Sequence, residues 1–162
     1  MTDIDGQPLP ELIPAAVAYV LRAADGWPFW DGEPIRHGDS ADDEWTPHKA
    51  LRRVADHLTD HLAEVEARLA GESPRPDGWA GRTVTTAADR ARFSTRDLRE
   101  AHQRLPRLAD IWRLRLAVID ADVLDQRPTP DTWTLREVVH HTADATRAYA
   151  DAMSRASRPE SR

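Results

Sequence analysis

The sequence predicts an all-α protein, folded as a four-helix bundle with one long crossover loop. Four segments repeat apolar residues at the spacing of an amphipathic helix. Residues that favour helix N-caps precede three of these segments: Thr46, Ser94 and Thr134. No segment has a convincing strand pattern of alternating apolar and polar residues. The 162 residues are expected to form a single domain, 1–162.

The first helix is predicted from Glu11 to about Ala24, after a loose, disordered lead-in at residues 1–10. Its apolar residues recur at helical spacing: Leu12, Ala15, Ala16, Tyr19, Val20 and Ala23. Residues 26–44 are predicted to be irregular and carry three clustered aromatic side chains. Two interpretations of this cluster stay open, a lid packed over one end of the core or a wall of a ligand pocket. The three residues are Trp27, Phe29 and Trp30.

The second helix has a clear start signal, because Thr46 suits the N-cap and Pro47 the first helical position. One apolar stripe runs along it, and Gly71 is expected to end it. The stripe contains Leu51, Val54, Ala55, Leu58, Leu62, Val65 and Leu69. Residues 72–93 then form the crossover, with turn formers at Pro74, Pro76, Gly78 and Gly81.

The third helix is predicted to start at Ser94, with Asp97 in a capping-box arrangement. Pro106 is expected to kink this helix or to split it in two. The predicted buried stripe is Leu98, Ala101, Leu105, Leu108, Trp112 and Ile119, supported by Ile111 and Val118.

The fourth helix follows a connector at residues 125–131 and has Thr134 as N-cap with Glu137 closing a capping box. Trp133 is expected to pack onto Val138 across the first turn. The predicted stripe is Leu135, Val138, Val139, Thr142, Ala145, Tyr149 and Met153. The tail at residues 157–162 is expected to be frayed and disordered.

Composition excludes several classes of function. The chain has no Cys, which rules out disulfides, thiolate metal sites and Cys nucleophiles. The net charge of −6, without a basic block, argues against nucleic acid and against an anionic membrane surface. The acidic N-terminus lacks a signal-peptide pattern, and no apolar run approaches the roughly 20 residues that span a bilayer. A cytoplasmic protein that binds neither nucleic acid nor membrane is therefore expected, and a homodimer is left open.

The histidines carry the predicted chemistry. His57 and His61 are four residues apart, so both imidazoles lie on one helix face and can share an ion. His141 on the fourth helix can turn inward as a third ligand, whereas the adjacent His140 should be solvated. Three His ligands with an open position are typical of catalytic metal sites. The alternative is that His57 and His61 are flank residues bonded to water or neighbours. The remaining histidines are expected at the surface or at caps: His37, His48 and His102.

Two segments resemble sequences found in the DinB-like superfamily. Residues 45–53 read WTPHKALRR and are followed by His57 and His61, while residues 133–141 read WTLREVVHH. In the second segment, the His eight residues after the Trp matches the family's single metal His. The resemblance covers about a third of the chain, in motifs of medium specificity.

The resemblance implies a four-helix bundle in which His57, His61 and His141 hold a divalent metal, zinc or nickel. Family members combine a single His, early in the chain, with a later H-x-x-x-H pair, and here the order is reversed. Either a permuted arrangement fills the same site or the triad is only partly kept. Relatives include thiol-dependent S-transferases and a mycothiol-dependent maleylpyruvate isomerase, so a low-molecular-weight thiol is an expected co-substrate.

Two functions follow as expectations: a metal-dependent thiol transferase or isomerase acting on small electrophiles, or a non-catalytic bundle that serves as a binding or oligomerisation module. Catalytic residues beyond the metal ligands are unknown. Asp56 and Asp60 are expected on a solvated helix face, and Asp144 is a candidate support for a ligand. Tyr149 and Trp112 are expected in the core.

Overall fold

The computed structural model describes residues 6–40, 43–76 and 83–154. Most of this part of the chain is helical, and its sheet has only two short strands, which agrees with the expected all-α class. Five α-helices are present in it: α1 (Leu12–Ala24), α2 (Pro47–Leu69), α3 (Thr95–Leu116), α4 (Ala121–Asp125) and α5 (Leu135–Asp151). Two two-residue strands, β1 (Ile35–Arg36) and β2 (Glu44–Trp45), pair antiparallel with Ile35 opposite Trp45. Within these residues, no helix combines the length and the apolar character needed to cross a bilayer.

The four long helices surround one core. Helix α1 packs against α5 and α3, and α2 packs against α5 and, less extensively, α3. Seven of the thirteen residues of α1 are buried, so this helix lies deep in the core. Helix α5 therefore lies between α1 and α2, where it brings one face toward the helix that carries His57 and His61.

The predicted helix signals are present at α2. The Thr46 hydroxyl accepts a hydrogen bond from the Lys49 backbone N–H at 3.2 Å, as an N-cap should. At the other end Gly71 has a φ of +74°, and its N–H bonds to the Arg68 carbonyl at 3.1 Å. The N–H of Glu72 reaches back to the Ala67 carbonyl at 2.8 Å, which completes a Schellman motif. Residue 71 needs the left-handed conformation that glycine adopts without strain.

The capping boxes of α3 and α5 are also confirmed. The side chains of Ser94 and Thr134 accept from the backbone N–H groups of Asp97 and Glu137, whose carboxylates accept in turn from the N-cap N–H groups. Helix α3 is continuous through Pro106, so the alternative of two separate helices is wrong. Packing of the flanking turns against the core holds the helix together although one backbone N–H is missing.

Several predicted details differ in the structure. Helix α1 begins at Leu12, because Leu9–Glu11 form a 3-10 turn. Leu9 is buried, so the end of the predicted lead-in belongs to the packed structure. The irregular segment 26–44 contributes both short strands, and the connector before the last helix is preceded by α4. The ends of the chain at 1–5 and 155–162, and Gly78 and Gly81 of the crossover, lie outside the described residues.

The aromatic cluster divides between core and surface. Trp27 is buried and meets Phe93 edge to face, with ring centroids 6.1 Å apart. Trp30 is partly buried against the core, but Phe29 is 89% exposed. Trp27 therefore matches the predicted lid, and Phe29 does not.

The predicted stripe of α3 is wrong at two positions. Ile111 and Leu114 are exposed on α3, and Val118 is exposed beyond the end of the helix at Leu116. The buried positions of this helix are Ala101, Leu105, Ala109, Trp112 and Leu116. The apolar surface of α3 is wider than the face that its neighbours cover.

A buried polar network ties the end of the crossover to the start of α2. The Lys49 ammonium donates to the Glu44 carbonyl at 2.8 Å and to the Thr85 hydroxyl at 3.0 Å. Arg52 donates twice to the Asp89 carboxylate, at 3.0 and 2.8 Å. These hydrogen bonds fix residues 85–89 against α2. They also satisfy polar groups that would be costly to bury without hydrogen-bond partners.

Asp89 makes this network sensitive to acid. Burial alone would raise the pKa of its carboxyl, but hydrogen bonds from Arg52 and Thr86 outweigh burial and lower the pKa below its ordinary value. A lowered folded-state pKa contributes stability above the unfolded pKa of about 3.9, and that stability is lost as the pH falls through the folded value.

We therefore expect Asp89→Asn to lower the free energy of unfolding by about 2 kcal/mol at pH 7, because charge-assisted hydrogen bonds are lost. The deficit should shrink as the pH falls below the unfolded pKa of about 3.9, because the unfolded wild type then binds a proton that the native state does not. Urea unfolding at both pH values measures this, with Asp110→Asn on the exposed face of α3 as the control. Equal deficits at pH 7 and pH 3 would contradict the assignment.

Candidate metal centre

The three predicted ligand residues come together between α2 and α5. His57, His61 and His141 each offer one ring nitrogen, and these atoms lie within 4.8 Å of one another. The ring centroids are 4.5 Å apart for His57 and His61, 5.0 Å for His57 and His141, and 5.3 Å for His61 and His141. The prediction that His141 turns inward is confirmed.

The separations suit a divalent cation. Three nitrogens at about 2 Å from one tetrahedral ion lie about 3.3 Å apart, so side-chain adjustments of about 1 Å bring the three rings to that geometry. The donor set is purely imidazole, which is the usual nitrogen ligand for zinc, nickel, copper and iron. The residues present therefore fit a metal of this class, with a coordination position left for another ligand.

Burial differs among the three rings. His57 is buried, with 6% of its surface exposed, whereas His61 and His141 are half-buried. Burial, followed by the nearby His61, lowers the pKa of His141 below its ordinary value. A lowered pKa keeps this imidazole neutral at physiological pH, which is the form that binds metal.

Glu64 is the carboxylate that supports the triad, and the sequence analysis missed it. Its Oε2 lies 2.8 Å from His61 Nδ1. The hydrogen bond with His61 lowers the pKa of Glu64 although burial opposes this. A ring whose Nδ1 bonds a carboxylate presents Nε2 to an ion, and such pairs fix ring orientation in metal sites. The available signal was spacing, because a residue three positions after His61 shares its helix face.

Arg68 extends this contact to the other ligand helix. It donates to Glu64 Oε1 at 3.3 Å and, through its second amino group, to the Trp133 carbonyl at 2.8 Å. Trp133 immediately precedes the N-cap of α5, and its ring lies 4.8 Å from that of His141. The polar chain from His61 to Trp133 therefore fixes α2 and α5 relative to each other beside the triad.

The remaining candidates lie around the site. His140 is half-buried rather than solvated, and it is not part of the triad. Asp56 and Asp60 are half-buried, which differs from the expected solvated face. Asp144 is exposed, with its carboxylate 3.8 Å from Arg147. The expected core residue Trp112 is fully buried.

The other three histidines act at caps and surfaces, as expected. His37 Nε2 lies 2.8 Å from the Ala152 carbonyl at the end of α5, and His102 Nε2 lies 3.2 Å from Asp25. His48 is partly exposed and meets the Phe93 ring edge to face at 5.1 Å.

A cavity of about 390 Å³ opens next to the supporting carboxylate. Glu64 and Arg68 are part of its lining, and the remainder mixes polar side chains such as Glu72 and Gln126 with apolar ones such as Leu69, Val123 and Leu135. A cavity of this size has room for a small molecule.

Comparisons of the chain with models of protein families, with curated proteins and with solved structures found no match.

A conservative change at Glu64 tests its role. We expect Glu64→Gln to weaken metal binding by about tenfold to a hundredfold, because the amide keeps the shape but loses the charge that raises the basicity of His61. Titration of the purified protein with Zn²⁺ against a competing chelator measures the affinity. Glu66→Gln, at an ion pair with Arg115 away from the triad, is the matched control. Equal zinc affinity in both variants would exclude the supporting role.

Proposed function

We propose that this protein is a metal-dependent enzyme of the DinB-like type, a four-helix bundle whose divalent cation, zinc or nickel, is held by His57, His61 and His141. The observation that carries the proposal is the convergence of three imidazole nitrogens from two helices within 4.8 Å. The arrangement of α1, α2, α3 and α5 around one core, with both ligand helices in contact, supports the bundle assignment.

Bound there, a divalent cation would lower the pKa of a coordinated thiol or water and so provide a nucleophile near neutral pH. The chain has no Cys of its own, so a low-molecular-weight thiol such as mycothiol is the nucleophile that the proposal favours. We infer transfer of that thiol to a small electrophile, or an isomerisation that proceeds by addition of the thiol and its later release.

The protein's own groups would contribute orientation and exclusion of water. Glu64 orients His61, and Arg68 links Glu64 to the Trp133 carbonyl. The indole of Trp133 covers the His141 ring on the outer side, where it is 48% exposed.

Thiol consumption tests the reaction. Zinc- or nickel-loaded protein is mixed with mycothiol and with other small thiols, and a panel of epoxides, alkyl halides and activated alkenes is supplied as electrophiles. We expect metal-dependent thiol loss that His141→Ala abolishes and His140→Ala retains. Protein with a full equivalent of metal that consumes no thiol would favour the second candidate, a non-catalytic binding or oligomerisation module.

The other expectations remain proposals. A small-molecule substrate follows from the enzyme proposal, and a cytoplasmic location and a homodimer stay predictions. Light scattering of the purified protein measures the oligomeric state directly.

A further inference from the structure

A buried arginine lies one turn before the first metal-ligand candidate. Arg53 is 7% exposed, and its Nη2 donates to the Tyr149 hydroxyl at 2.9 Å. The guanidinium carbon also lies 5.0 Å from the centre of the Tyr149 ring. A guanidinium has five N–H donors and stays charged at every physiological pH, so one neutral hydroxyl satisfies it only in part.

The charge of Arg53 lacks an anionic partner in the part of the chain that the structure describes. The nearest candidate on its own helix is Asp56, which senses the charge of Arg53 but lies within ion-pairing distance of Arg52, at 3.6 Å. A buried cation without a counter-ion is unfavourable, and proteins keep such groups where a ligand supplies the opposite charge.

Arg53 lies close to the three histidines along α2. Arg53 precedes His57 by four residues, about 6 Å along the same face of α2. Tyr149 lies between them, with its ring edge-on to His57 at 5.6 Å. Trp45 stacks on Tyr149 at 5.7 Å and restricts the phenol. The hydroxyl and the guanidinium are therefore fixed next to the metal-ligand candidates.

We propose that Arg53 and Tyr149 bind the carboxylate of the substrate. The substrate class is then a small electrophile that carries a carboxylate, oriented with its reactive carbon toward the three histidines. The planar fork of a guanidinium matches a carboxylate in two parallel hydrogen bonds, and the phenol hydroxyl donates a third. This inference rests on the proposed function for the reaction, but the anion site itself does not require the metal.

The two tyrosines of the chain allow a direct test on the wild-type protein. Protein labelled with ¹³C-tyrosine gives one ring signal set for Tyr149 and one for Tyr19, assigned with Tyr19→Phe. Tyr19 bonds Asp151 elsewhere on the surface and is the internal control. We expect millimolar propionate to shift the Tyr149 signals in a saturable way, with Tyr19 unchanged. Propionamide, the neutral isostere, should shift neither, and absence of a propionate shift at Tyr149 overturns the proposal.

Variants separate this site from the metal. Arg53→Gln should weaken propionate binding by about tenfold or more, while zinc content stays near that of the wild type. His141→Ala should lose the metal but keep the propionate shift at Tyr149. If the shift instead survives in Arg53→Gln and vanishes in His141→Ala, the carboxylate binds the metal alone and the proposal fails. If Arg53→Gln does not fold, Arg53→Lys and the wild-type titration decide the question.

The two proposals fail in different ways. Wild-type protein that binds propionate at Tyr149 but takes up no zinc or nickel would overturn the proposed metal enzyme and leave the anion site standing. Protein that takes up one equivalent of metal but shows no Tyr149 response would overturn the anion site and leave the metal centre standing.

Discussion

His141→Ala is expected to abolish stoichiometric metal binding. Two imidazoles on one helix hold a divalent cation loosely, and the third ligand is the one that joins α5 to α2. We expect the affinity for Zn²⁺ or Ni²⁺ to fall by about a hundredfold or more. Metal analysis after exhaustive dialysis should find about one equivalent in the wild type and a small fraction of it in the variant.

Thermal unfolding gives a second measurement of the same change. A ligand at a hundred times its dissociation constant stabilises the native state by about 2.7 kcal/mol. For a chain of this size that corresponds to a rise in Tm of about 5–10 °C. We expect added Zn²⁺ to raise the Tm of the wild type by this amount and to leave that of His141→Ala unchanged.

The neighbouring residue provides a matched control. His140 is on the same turn of α5 and is half-buried like His141, but it is outside the triad. His140→Ala should therefore keep both the metal content and the metal-dependent rise in Tm. Loss of metal in His140→Ala, with retention in His141→Ala, would show that the wrong imidazole has been assigned.

The helix ends and the triad could be predicted from the sequence because their determinants are local. Thr46, Ser94 and Thr134 cap helices through groups three residues away, and such bonds form in the same way in any fold. The spacing of His57 and His61 fixes their common face for the same reason. For His141, helical periodicity placed it at the edge of the core and His140 on the solvated side, and the resemblance agreed with that choice.

The errors arose where neighbouring elements decide the outcome. Ile111 fits the apolar period of α3 but lies on a side that the neighbouring helices do not cover, and Val118 lies beyond the end of α3 at Leu116, so both are exposed. The pairing of β1 with β2 joins two segments of two residues each, too short for an alternating pattern. Arg53 on α2 and Tyr149 on α5 meet across two helices, which periodicity along one helix does not reveal.

Trp112→Ala is expected to be the most destabilising single change in the core. The indole of Trp112 is fully buried in α3, and its Nε1 donates to the Leu58 carbonyl of α2 at 3.0 Å. Removal of a buried Trp side chain costs about 3–5 kcal/mol, because the transfer energy is lost and a cavity remains. The Tm should fall by about 6–20 °C, as measured by calorimetry or circular dichroism.

A control on the same helix separates burial from helix propensity. Leu114 is 58% exposed two residues later, and Leu114→Ala should change the free energy of unfolding by less than about 0.5 kcal/mol.

Trp112→Phe keeps most of the side-chain volume but removes the hydrogen bond to Leu58, so it should lower the free energy of unfolding by about 1–3 kcal/mol. Since Leu58 follows His57 on α2, loosening this contact also frees the turn that carries a metal ligand. Added Zn²⁺ should therefore stabilise Trp112→Phe by less than it stabilises the wild type, and an equal deficit with and without metal would mean that the core and the triad are independent.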